Sequence, residues 1–376
     1  MRDSMDKAGS IPALTGIRFF AALMVFFSHY PIIGSGEILK RFQVAGYSGV
    51  TFFFILSGFI ITYNYLDKFE KRSGASISSF YAARFYRIYP LYAFCTLYAW
   101  ANSSETIPLW PHLLAVQAWS GDTLLAMGFN GPGWSISVEA FLYLMFPLVL
   151  PVMHYLGITK SKNRLIGFAT LMFSCQLALA MYFWLSGKAD LSPFDPDSAH
   201  RWLYRTPATR LFDFCIGISA AIYYKQFMQN SRQSDVTWSR LTYISLMAVF
   251  AMMLWKENYR SVFSWDVIYV IPFTLLIIGV SQARQSFISR ALSTRAAILL
   301  GEASFALYLI HTLMRGMYPS QPNESFAYTL MQHGFFLAVV IVMSIGLHLA
   351  IEKPAQKSLK SFFTKKHTKE IQHELS

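Results

Sequence analysis

About ten stretches of this chain are each apolar over roughly 17–23 residues, the length needed to cross the hydrocarbon layer of a bilayer. That repetition constrains the fold more than any other feature. Backbone amides and carbonyls find no water in lipid, so each stretch must satisfy them internally, as a helix does. The segments run over about 12–33, 47–66, 88–104, 134–156, 165–186, 208–226, 240–256, 262–282, 297–317 and 330–352. The expected fold class is therefore an all-α polytopic membrane protein, a bundle of about ten transmembrane helices. Composition agrees. Charged residues make up 14% of the 376 residues and hydrophobic ones 54%, whereas soluble domains carry about 25% charged residues.

The formal net charge of +12 would suit a nucleic-acid binder. Here the cations flank the apolar segments, so no nucleic-acid partner is expected. With the N-terminus placed in the cytoplasm, 22 of the 32 Lys and Arg residues fall on the cytoplasmic side and nine outside. That asymmetry follows the positive-inside rule and predicts both termini cytoplasmic. The stretch 105–133 has no Lys or Arg and belongs outside. Within it, PLWPHLLAVQAW is too short to span, and Trp110 and Trp119 suggest an interfacial or re-entrant segment. Arg2 and Lys7 imitate a signal peptide, but Arg18 interrupts the apolar run and no small-residue cleavage site follows, so a retained first helix is expected. No loop is long enough for a soluble domain. The chain divides into an integral-membrane domain over 1–355 and a basic cytoplasmic tail over 356–376. Cys95, Cys175 and Cys215 sit in apolar segments as small hydrophobes. No His, Cys and Asp cluster has metal-ligand spacing, so no metal is expected.

Chemistry in such a chain must come from polar residues inside the apolar segments, where they are costly and usually functional. The first segment, IPALTGIRFFAALMVFFSHYPII, holds Arg18 and His29. On a helix their spacing returns to nearly the same face, roughly 16 Å further along the axis. Arg18 then lies near the cytoplasmic surface, where an arginine can also simply snorkel to headgroups, and His29 near the outer one. Glu139, in GPGWSISVEAFLYLMFP, enters from outside to about the depth of His29. A membrane carboxylate needs a partner, and the expectation is that Glu139 orients the His29 imidazole, as in hydrolase triads. The plain alternative is a carboxylate favoured at a helix N-terminus.

Arg84 and Arg87, in FYAARFYRIYPLY, share a helix face just inside the cytoplasmic surface, before the third segment. Two guanidiniums there suit phosphate, although positive-inside anchoring explains them too. Ser57, in GVTFFFILSGFIITYN, is a mid-membrane hydroxyl that either donates to a carbonyl oxygen or bonds its own helix. His311, in GEASFALYLIH, is placed at mid-depth of the ninth segment, either packed or functional. Glu302 and Glu352, near inner helix ends, are expected to pair with the cytoplasmic arginines, and Arg210 with Asp213.

Taken in order, LTGIRFFAALMVFFSH with its R-x10-H spacing, GVTFFFILSGF, RFYR, WSISVEAFLYLMFP, SFALYLIH and IEKP resemble the acyltransferase 3 family of integral-membrane acyltransferases. The likeness covers nearly the whole chain. It implies a roughly ten-helix bundle of the bacterial inner membrane that takes an acyl group, commonly acetyl, from cytoplasmic acyl-CoA. The acceptor it implies is a saccharide hydroxyl of O-antigen, exopolysaccharide or another glycan. It also implies functional roles for the Arg18–His29 and Arg84–Arg87 motifs. Some members carry a C-terminal esterase-like domain, which is not expected here. Many have a basic residue where this chain has Glu302, so contacts to the CoA nucleotide are expected to differ.

On this reading the CoA phosphates of acetyl-CoA bind Arg84 and Arg87, helped by Arg18, and the pantetheine arm runs outward along the first helix. His29 acts as general base with Glu139 fixing its tautomer, and Ser57 or Trp134 donates to the thioester oxyanion. Direct transfer and an acyl-histidine intermediate stay equally open. The competing reading is a proton-coupled transporter or flippase of a lipid-linked glycan, against which stands the lack of an inverted repeat in the hydropathy.

Overall fold

The computed structural model describes residues 11–70, 74–229, 234–255, 261–318 and 325–358. Arg2, Lys7, Lys71, Arg72, Arg232, Lys256, Arg260 and the basic tail beyond residue 358 lie outside the described residues. Among the described residues the chain is helical, with no strand. Each of the ten apolar segments falls on helix, with shifted ends.

α1 (Pro12–His29) opens on a proline, whose missing N–H is no loss in a first turn. α2 (Gly36–Val44) and a 3-10 turn, Ala45–Ser48, lead into α3 (Gly49–Glu70). α4 (Gly74–Ala101) begins well before the apolar run expected at 88, so Arg84 and Arg87 lie on the same helix as that run. The single turns α5 (Trp110–Leu113) and α6 (Thr123–Met127) occupy the connection to α7 (Gly133–Tyr155). In it Pro111 and His112 are buried, while Trp110 and Trp119 are exposed. α8 (Lys162–Leu185), α9 (Pro207–Tyr223), α10 (Asp235–Leu254) and α11 (Val267–Gln282) follow. The chain then turns through α12 (Phe287–Leu292), α13 (Arg295–Glu302) and α14 (Ser304–Ile310) before α15 (Phe326–Leu347).

Six of these stretches are long and apolar enough to cross a membrane: α1, α2 with α3, α7, α8, α10, and α15 with its continuation to Ser358. The other expected segments fall short for local reasons. The first half of α4 is polar, α9 carries Arg210 and Asp213, and the ninth segment is divided. That division corrects the placement of His311 in an unbroken span: α13 ends at Glu302, α14 ends at Ile310, and His311 is the residue that closes α14. The break has a packing cause. Gly301 lies against the backbone carbonyl of Thr15 on α1, and the Ser304 hydroxyl bonds back to Gly301 O at 2.8 Å.

Two features hold the centre together. Gly58 of α3 faces the carbonyl of Phe214 on α9, and Gly217 of α9 faces the carbonyl of Ile55 on α3, so a Cβ at either would collide with backbone. Small residues let membrane helices approach this closely. Beside this crossing Arg210 is fully buried and pairs with Asp213 at 2.9 Å, as the sequence suggests. It also pairs with Asp266 at the start of α11. Gln176 of α8 donates to both carboxylates, at 2.6 and 2.7 Å. The three cysteines are free.

Candidate active site

The expected site residues form two neighbouring groups. The first lines a cavity of about 220 Å³ among α1, α3, α4, α7 and α14. Arg18, Arg84 and Arg87 stand on its wall with Glu139, Glu302 and Glu352. Arg84 packs against three rings, with its guanidinium carbon 5.7 Å from the centre of Tyr65, 5.9 Å from Phe80 and 5.8 Å from Tyr143. Its Nε is buried without a hydrogen-bond partner among the described residues. Arg18 and Arg87 make no hydrogen bond or ion pair among the described residues. Three guanidiniums thus bring N–H donors to one cavity, the arrangement that recognises phosphate oxygens. Glu302 and Glu352 join the same wall, and His348 reaches both, with Nε2 3.6 Å from Glu302 and Nδ1 3.3 Å from Glu352.

Ser57 and Glu139 meet within this wall, the Ser57 hydroxyl donating to Glu139 Oε1 at 3.3 Å. The Tyr143 hydroxyl donates to the same oxygen from one turn further along α7. Glu139 is therefore not the partner of His29. Sequence depth places two residues at one level of the membrane but says nothing of direction around the bundle. α7 turns Glu139 toward Ser57 and Tyr143, away from the end of α1.

The second group sits where α1 and α14 end. His29 Nδ1 lies 3.4 Å from His311 Nε2, with the ring centres 4.9 Å apart. His29 Nδ1 is also 3.0 Å from Val25 O, and His311 Nδ1 is 3.2 Å from Leu307 O. A carbonyl accepts only, so both Nδ1 atoms are assigned the proton. The His29 Nδ1–H goes chiefly to Val25 O at 3.0 Å and shares a longer, 3.4 Å arm with the lone pair of His311 Nε2, and His29 Nε2 is left as a base. His311 has no exposed surface, whereas His29 is exposed. Tyr30 donates to His311 O at 2.8 Å.

Tyr308 joins the two groups. It lines the cavity together with Ser135 of α7, and its ring centre is 6.0 Å from that of His311. Arg18 of α1 lines the cavity with Ser304, Phe305 and Tyr308 of α14, and His29, at the end of α1, meets His311. Trp134 does not reach the cavity wall; it packs between Phe54, at 6.4 Å, and Tyr204, at 4.9 Å. Tyr143, Tyr308, His348 and Asn130 escaped the sequence reading. Tyr143 and Tyr308 stand one turn from Glu139 and His311 and were within reach of a helical-face argument; His348 and Asn130 carried no signal beyond their polarity. Among the described residues no group of three or more His, Cys, Asp or Glu side chains stands where it could hold a metal ion.

Residues 11–351 match the profile of an acyltransferase domain. The chain is 28% identical to the acyltransferase MdmB of Streptomyces mycarofaciens, over 93% of this chain and 92% of that protein. It is 23% identical to YrhL of Bacillus subtilis strain 168, provisionally named a peptidoglycan O-acetyltransferase, over 94% of this chain and 56% of that protein. It is 24% identical to a provisionally named O-acetyltransferase of Staphylococcus aureus strain COL, over 81% of this chain and 50% of that protein. The chain thus spans about half the length of these last two relatives. No solved structure matches it.

Proposed function

The chain belongs to the acyltransferase 3 family, and from that premise we propose that it moves an acetyl group from cytoplasmic acetyl-CoA to a saccharide hydroxyl at the outer face of the bacterial inner membrane. The observation that carries this reading is the adjacency of a three-arginine cavity to a histidine pair, with one tyrosine between them. In this reading residues 1–355 form the membrane domain, crossing about ten times with both termini cytoplasmic, and 356–376 form a basic tail.

Arg84, Arg87 and Arg18 hold the CoA phosphates, and the pantetheine arm brings the thioester toward Tyr308. His29 Nε2 takes the proton of the acceptor hydroxyl as the oxygen attacks the thioester carbonyl. The tetrahedral intermediate collapses, the C–S bond breaks, and the proton passes to the leaving thiolate. Ester and free CoA are the products. His311 takes the role expected of Glu139: it holds the His29 tautomer. A positioned general base contributes roughly 10²–10⁴-fold. Ser57, whose hydroxyl rests on Glu139, would have to leave that carboxylate and turn to the oxyanion as it forms.

A saccharide acceptor is supported by the peptidoglycan O-acetyltransferase name of the Bacillus relative and by the exposed rings of Trp110 and Trp119, which offer stacking faces. Membrane vesicles that contain the native glycan and are supplied with acetyl-CoA labelled in the acetyl group test the reading. Label should enter the glycan with stoichiometric release of CoA thiol. Glycan movement without thiol release would instead identify a transporter.

A further inference from the structure

Asn130 lies in the turn that leads into α7, and only 5% of its surface is exposed. Its Nδ2 donates to Leu309 O at 3.0 Å, and its Oδ1 accepts from the Thr312 hydroxyl at 2.8 Å. These two partners flank His311. α14 ends there, and the last carbonyls of a helix lack the amide four residues on. The Asn130 amide supplies a donor on one side of His311 and an acceptor on the other. Its backbone serves the neighbouring helix, because Asn130 O accepts the N–H of Gly133, the first residue of α7, at 2.8 Å.

The chain departs from ordinary backbone geometry to place this residue. Phe129 has φ +56°, uncommon for a bulky side chain and seen where surrounding contacts impose it. The imposing contact is Glu105, whose Oε2 accepts the Phe129 N–H at 2.8 Å.

We infer that Asn130 is a positioning residue for acyl transfer. It fixes the end of α14, and with it His311 and the His29 ring, against α7, which carries Glu139 on the donor cavity wall. The inference rests on His29 being the base, as proposed above. Asn130 touches no reacting atom; it sets the offset between the base and the thioester. A displacement of about 1 Å in such an offset costs up to ~100-fold in rate.

The test uses the full chain in membrane vesicles with their native glycan, following label from acetyl-CoA as its concentration is varied. Asn130→Ala should lower the maximal rate ~10–100-fold and leave the acetyl-CoA KM within about twofold. Asn130→Asp keeps the acceptor for Thr312 but has no donor for Leu309 O, so it should recover part of the rate. Thr312→Val, on a half-buried residue, should lose part of it and covers the case in which Asn130→Ala does not insert. His29→Ala serves as reference. A maximal rate for Asn130→Ala close to the parent's beside an inactive His29→Ala overturns the inference alone. A parallel loss of rate and acetyl-CoA affinity in all three variants overturns it as well, since that marks a collapse of the donor cavity. An active His29→Ala removes the reading beneath it.

Discussion

His29 Nδ1 and His311 Nε2 face each other at 3.4 Å across 282 residues of chain. The pairing joins two helix ends, and it puts a neutral ring, rather than a carboxylate, behind the base. An imidazole orients its neighbour and fixes its tautomer, but it stabilises the imidazolium less than a carboxylate would. The two histidines should therefore differ in weight. His29→Ala should abolish transfer to the level of the uncatalysed site, a loss of about 10²–10⁴-fold. His311→Gln, which can still present an acceptor to His29 Nδ1–H, should lose less than His311→Ala. Labelled acetyl transfer under saturating acetyl-CoA decides this, and equal activity of His29→Ala and the parent would sink the assignment.

The arginines should act on the donor and not on the chemistry. Arg87→Ala removes donors that no group among the described residues occupies. A hydrogen bond to a charged group is worth about 1.5–3 kcal/mol, so acetyl-CoA affinity should fall ~10–100-fold. Arg87→Lys keeps the charge but not the planar fork and should restore only part. Arg84→Ala should lose affinity and also destabilise, because its guanidinium packs on Tyr65, Phe80 and Tyr143. Titration calorimetry with acetyl-CoA on purified protein reads this directly; unchanged affinity would refute the clamp.

Glu139 shares its oxygen between Ser57 and Tyr143, so Tyr143→Phe tests its role without touching the histidines. The variant should raise the acetyl-CoA KM several-fold, on the order of the ~1 kcal/mol of one hydrogen bond, because Glu139 loses a donor while Arg84 keeps the ring it packs on. If Tyr143→Phe instead matched His29→Ala in maximal rate with normal KM, Glu139 would belong to the proton-transfer step.

The buried Arg210 pairs with two carboxylates. Its replacement by Met leaves Asp213 and Asp266 without a counter-charge in a fully buried place. Breaking such a group costs about 3–5 kcal/mol. Thermal unfolding in detergent should show a clear loss of stability for Arg210→Met, with part recovered in the triple change that also carries Asp213→Asn and Asp266→Asn. A parent-like melting temperature for the single variant would contradict the pairing.

The sequence located helices well and the directions around them poorly. Hydropathy located ten helical segments, and the eleven-residue spacing placed Arg18 and His29 on one face of α1. It also put Glu139 at the level of His29, but a level is a circle around the bundle, and only packing decides which neighbour a side chain meets. Gly301 against Thr15 and Gly58 against Phe214 are such close packing contacts. A lone glycine in an apolar run does not announce its partner. Asp266 was hidden for the same reason: its mate Arg210 lies on another helix, 56 positions earlier. Asn130 was hidden because its work depends on the end of α14, which hydropathy read as one uninterrupted segment.

Tyr308 has one flank on the donor cavity and the other toward His311. On the proposed topology this makes it the insulation of the enzyme. There the three-arginine cavity would open to the cell interior and the histidine pair to the surroundings, with the Tyr308 ring between them. A cell that sends acetyl groups out through such a partition would export two carbons at a time without opening a route for CoA to follow.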